Sequence, residues 1–127
     1  MIVHVDTSAL IDALTGPRRS LDTMIRLTEQ GDRLTLSTIV LYEWLRGPRS
    51  RAELSAQEEL FPRDAAVAFG SAEADVAAKL YGRIRRPRGR ELDIAVAACA
   101  IAHGGALWTL NPDDFRDIPG LPLVARP

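Results

Sequence analysis

The chain has one cysteine, Cys99, in 127 residues. That excludes an internal disulfide framework and fits a reducing cytoplasm. No apolar run approaches the ~20 residues of a membrane span. The first strand-like run starts at residue 2, which leaves no room for a signal peptide. An excess of one charge is also missing: 16 basic residues face 17 acidic ones, a net charge of −1. Overall charge therefore points neither toward nucleic acid nor away from it. Lysine is nearly absent, Lys79 being the only one. There is no internal repeat, low-complexity tract or linker.

What is present is the makeup of a globular protein, with 46% hydrophobic and 26% charged residues. Its length suits one domain over 1–127 with one core. Ile2 to Val5 reads as a buried strand and Thr7 to Thr15 as a helix stopped by Gly16-Pro17. An amphipathic helix over 20–30 follows, then a short strand over 34–36 and a helix over 39–46 closed by Gly47-Pro48. Further helices are expected over 51–60, from Ser71 to about Ile84, and over 92–102. Strands are expected over 65–69 and 106–110, with a possible fifth over 121–124. Strands alternating with helices imply an α/β fold, a small and mostly parallel sheet of four to five strands flanked by helices.

In such a sheet, ligands bind beyond the carboxyl ends of the strands. Asp6 ends the first strand and falls at that edge, although an Asp there also suits a helix N-cap. Glu43 lies in a helix apolar on nearly every side (Ile39 to Leu45), where a charge needs a partner, either Arg46 or a metal. Asp93 opens an almost wholly apolar helix. The helix dipole alone would favour a carboxylate there, but Ala95, Ala97, Ala98 and Ala100 let this helix pack close to the sheet and bring Asp93 toward Asp6. Thr109-Leu110-Asn111-Pro112-Asp113-Asp114 leaves a strand end through ordinary turn chemistry, yet it offers a hydroxyl, an amide and two carboxylates at the same edge. Carboxylates gathered in one crevice repel each other unless a cation lies between them. Five arginines fall within 83–90, just before Asp93, where Arg86, Arg88 and Arg90 can hold phosphates.

Four segments together resemble the PIN-domain family: Val5-Asp6-Thr7-Ser8-Ala9-Leu10-Ile11, Tyr42-Glu43-Trp44-Leu45-Arg46-Gly47, Leu92-Asp93-Ile94-Ala95-Val96-Ala97-Ala98 and Thr109 to Phe115. The resemblance spans nearly the whole chain, including Ile118-Pro119-Gly120-Leu121, and at this length is similar to the VapC-type toxins of type II toxin–antitoxin pairs. It implies a Mg2+- or Mn2+-dependent endoribonuclease inhibited by a small VapB-type antitoxin. Asp6, Glu43 and Asp93 match the family's three acidic positions and would be metal ligands. Asn111 stands where many members have Asp, so Asp114 or Asp113 supplies the missing charge. Thr7 and Thr109 join Asn111 and Asp113 as groups that position metal or water.

The resemblance also implies a homodimer, and DNA contact only through the antitoxin. The antitoxin would insert an Arg or Lys into the acidic crevice and lay a helix on Leu14, Ile25, Leu41 and Trp44, the alternative being that these residues, Leu14 and Ile25 above all, are core. A receiver domain is disfavoured because Lys79 lies in a helix and the third strand ends in Phe69-Gly70-Ser71. An aspartyl-phosphate phosphatase would require Asp-x-Asp, and Asp6-Thr7-Ser8 lacks the second acid. The remaining alternative is a binding module with little or no nuclease activity that acts mainly within an antitoxin complex repressing its own operon.

Overall fold

The structure, a computed structural model, describes residues 1–125; the last two positions of the expected 1–127 domain lie outside the described residues. Strand β1 (Ile2–Val5) is central, paired in parallel with β2 (Arg33–Thr35) on one side and β3 (Ala106–Trp108) on the other. Parallel strands covered on both faces should be apolar throughout. Val3, Val5 and Leu107 accordingly have no exposed surface, while His4 between the two valines is 2% exposed.

The helices are α1 (Thr7–Leu14), α2 (Leu21–Glu29), α3 (Thr38–Arg46), α4 (Arg51–Leu60), α5 (Ser71–Arg83) and α6 (Glu91–Ala102). Each expected helix is present, with ends shifted by at most a residue. Ser37 caps α3 by accepting from Val40 N–H, and Ser50 with Glu53 forms a capping box on α4. In α6 every residue from Ile94 to Ala100 is buried, as expected for a helix apolar on all sides. Its most extensive helix partner is α5.

Two expected strands shrink to single bridges, so three strands and two flanking bridges form the parallel sheet. Residues 63–65 wind into a 3-10 turn, which leaves only Val67 to pair with Ser37. At the other edge, Leu123 alone pairs with Leu107. Strand β3 also stops at Trp108, because the next two residues are taken up by other bonds: Thr109 Oγ1 donates to Asp6 and Leu110 N–H to Ser8. Leu14 and Trp44 are core residues at 4% and 0% exposure, so the expected docking groove does not include them. Of the other two residues expected in it, Ile25 is exposed and Leu41 lines a shallow surface cavity with Tyr42 and Leu45. Among the described residues no helix is long and apolar enough to cross a membrane.

Gly105, just before β3, is pressed against β1. A Cβ there would meet His4 Cδ2 at 2.8 Å and the Ile2 carbonyl at 2.9 Å. Both ring nitrogens of His4 are buried and unpartnered, and burial lowers its pKa to about 4, so the ring is neutral at pH 7.

Candidate active site

The site forms where β1 and β3 end. Asp6 occupies the N-cap position of α1, with extended backbone, but its side chain makes no capping bond. Its N–H donates to the Trp108 carbonyl at 2.9 Å, which fixes the end of β1 to the end of β3. The carboxylate turns across that junction. Thr109 Oγ1 donates to Asp6 Oδ2 at 2.7 Å and Ser8 Oγ donates to the same oxygen at 2.9 Å. Ser8 Oγ in turn accepts Leu110 N–H, and Thr109 Oγ1 accepts Asn111 N–H. Two hydroxyls thus hold one oxygen of a 6%-exposed carboxylate and also set the path of the turn after β3.

Glu43 reaches this edge from α3. Thr7 Oγ1 donates to its Oε1 at 2.8 Å, and Arg46 lies 3.5 Å from Oε2. Arg46 is therefore the protein partner that a charge on this apolar helix requires. Asp93 sits half-buried in the first turn of α6. Its pKa is raised to about 6, first by burial and then by the charges of Asp6, Asp114 and Glu43, against which only Arg90 pulls downward. The four acids from separate segments therefore share one electrostatic field.

They are not drawn onto a common point: among the described residues no three His, Cys, Asp or Glu side chains are arranged to hold an ion. Asp6 is held by two hydroxyls, and Glu43 by Thr7 and Arg46. The donor set is nonetheless carboxylate, hydroxyl and amide oxygen, which suits Mg2+ or Mn2+ rather than a soft metal.

The remaining candidates are spread along the rim. Asn111, Asp113 and Asp114 are exposed on the turn after β3, with Asp113 paired to Arg116. Arg86 and Arg88 are exposed and make no ion pair among the described residues, and Arg86 has a left-handed backbone (φ 58°). Arg90 differs. Its guanidinium makes two 2.7 Å hydrogen bonds to Asp117 and a third, at 2.9 Å, to the Asp114 carbonyl. Beside the acids, Thr109 also lines a cleft of about 470 Å3 with Ser20, Thr23, Trp108 and Leu110.

Sequence reasoning missed two residues here. Ser8 is visible as a hydroxyl two positions after Asp6, but in the sequence alone it reads as no more than a cap. Asp117 gives no signal, because its partner lies 27 residues away.

Comparison with known proteins accords with this geometry. The family model for the PIN domain matches residues 3–121. Ribonuclease VapC19 of Mycobacterium tuberculosis is 31% identical over 123 residues, covering 92% of this chain and 94% of that protein. Among solved structures, VapBC2 of Rickettsia felis bound to a promoter DNA fragment aligns with a TM-score of 0.77 at 20% identity, over all of both chains. DNA-bound VapBC of Salmonella typhimurium aligns at 0.78 and 22% identity, over 98% of this chain and 97% of that one.

Proposed function

This chain belongs to the PIN domain family, and on that premise we propose that it is a Mg2+- or Mn2+-dependent endoribonuclease. It acts as the cytoplasmic toxin of a toxin–antitoxin pair and is silenced by a VapB-type antitoxin that carries any DNA contact. What supports this reading is that Asp93 lies under the charge of Asp6, Asp114 and Glu43, which come from three other segments. The 31% relative named as a ribonuclease points the same way.

Asp6, Glu43 and Asp93 would hold the cation, and Asp114 would add charge from the turn. When bound, the cation lowers the pKa of an attacking water and neutralises charge on the phosphoryl oxygens. The chain's own residues do the rest. Ser8 and Thr109 fix the Asp6 rotamer by donating to its Oδ2. Thr7 and Arg46 hold Glu43 through both of its oxygens, one each. Asn111 and Asp113 line the turn where an attacking water is to be oriented. Arg86 and Arg88 are exposed and uncommitted, so they can engage flanking phosphates of the RNA. The cleft beside Thr109 gives an adjoining nucleotide a place to lie. The protein is expected to act as a homodimer.

The test is cleavage of RNA with Mg2+ or Mn2+ by the wild type, Asp6→Asn and Asp93→Asn. Wild-type cutting that both substitutions abolish supports the reading. Undiminished cutting by Asp93→Asn would reject this site, and RNA binding without cleavage in either metal would make the chain a binding module.

A further inference from the structure

Five arginines crowd residues 83–90, but they are not equivalent. Arg90, the N-cap residue of α6, is the one turned inward. Its planar fork matches the Asp117 carboxylate at two 2.7 Å contacts, and the nitrogen nearer the turn also reaches the Asp114 carbonyl. Such fork-to-fork pairs fix orientation as well as distance, which a lysine cannot reproduce.

The segment held in this way carries the fourth acid. Residues 112–114 form one 3-10 turn, followed by Phe115 and Ile118, both buried. Its internal bonds are local: Asp114 N–H to the Asn111 carbonyl, Phe115 N–H to Pro112 and Ile118 N–H to Phe115. Asp113 pairs with Arg116, three residues on. Among the described hydrogen bonds of residues 112–118, those from Arg90 are the ones that reach another element, α6, which carries Asp93 three residues after Arg90.

We infer that Arg90 and Asp117 form a clamp that sets Asp114 against Asp93, making both of them positioning residues and not phosphate contacts. The inference rests on the nuclease reading for its catalytic consequence and on the bonds alone for its mechanical one. Within the arginine cluster, Arg86 and Arg88 then face the substrate, while Arg90 faces the protein.

Asp117→Ala separates the two roles, because it leaves the Arg90 charge in place and frees its guanidinium. If Arg90 touched substrate phosphate, freeing it would preserve or raise activity. If it is a clamp, kcat on a short RNA with Mn2+ falls about 10- to 100-fold, the usual cost of losing a partner behind metal ligands, with KM nearly unchanged. Amide hydrogen exchange at Asp114 and Phe115 then accelerates in the metal-free protein, and Arg90→Lys, which keeps the charge but loses the fork, shows the same pattern. Asp117→Ala with wild-type exchange at these amides, or with kcat equal to or above wild type, overturns the clamp. If the wild-type protein cuts no RNA, the nuclease reading fails while the exchange comparison still decides whether the clamp exists.

Discussion

Helices α5 and α6 pack against each other, and each carries a carboxylate at its third position, Glu73 and Asp93. The two acids receive opposite treatment. Glu73 accepts the Gly70 N–H at 3.0 Å and bonds to His103 Nε2 at 2.9 Å. With its own N–H as well, these bonds hold its pKa below the usual carboxylate range. Asp93 has the same helix terminus behind it, but burial and three neighbouring carboxylates push it up to about 6. An acid in a first turn is ordinarily a stabilising device, as Glu73 is. When the same position carries a raised pKa, the surroundings have outweighed the helix, and the carboxylate costs stability where Glu73 adds it.

The largest test of this contrast exchanges the charges. Asp93→Asn should reduce RNA cleavage by at least about a hundredfold, while Glu73→Gln should leave cleavage largely intact and lower the melting temperature instead. Equal losses of activity in both would erase the distinction. Divalent cation comes next. Mg2+ or Mn2+ should stabilise the wild type by mass action, by about 2.7 kcal/mol at a hundredfold excess over Kd, and so raise its melting temperature, with a much smaller rise in Asp93→Asn.

The pH response has opposite signs at the two acids. Asp93 has a folded pKa above its unfolded value, so its favourable contribution is complete below about pH 3.8 and is lost as pH rises to about 6. Above that, its ionised form costs the metal-free protein on the order of 1 kcal/mol once solvent screening is allowed for. Asp93→Asn should therefore be more stable than wild type at pH 7.5, with the gap closing toward pH 4. Glu73, with a lowered pKa, contributes above the ordinary carboxylate pKa, and that contribution is lost as pH falls through its folded value. A gap for Asp93→Asn that does not change with pH would show that repulsion is not what distinguishes the two.

Smaller effects sharpen the picture. Thr109→Val removes a hydroxyl that donates to the Asp6 carboxylate and should lower cleavage about tenfold, since hydrogen bonds to charged groups are worth about 1.5–3 kcal/mol. The smallest is His103→Gln, which should move the Glu73 titration upward by NMR without affecting cleavage.

Much of the fold and the site is legible in the sequence, for physical reasons. Gly16, Gly31 and Gly47 stop helices where the apolar spacing ends, and the β-branched run Ile2 to Val5 is too short to be anything but a strand. Strand-end position is enough to select Asp6, and an apolar helix enough to select Glu43. What cannot be read are contacts made across the chain. Trp44 and Leu14 suit an exposed groove as well as a core until the neighbouring helices are placed. The outer strands fail as strands because edge segments depend on one neighbour alone, and residues 63–65 find a tighter local turn. Arg90 looks like its neighbours in sequence, and only the arrival of Asp117 separates it from them.

The fit of Gly105 beneath His4 shows where damage could arise unnoticed. Even a methyl group at position 105 would force the buried His4 ring or the Ile2 carbonyl to move, and both belong to β1, the strand that delivers Asp6. A Gly105→Ala allele should therefore disarm the protein while every acid stays in place. On the proposed toxin reading, cells that survive its expression would carry lesions at this glycine as well as at the carboxylates.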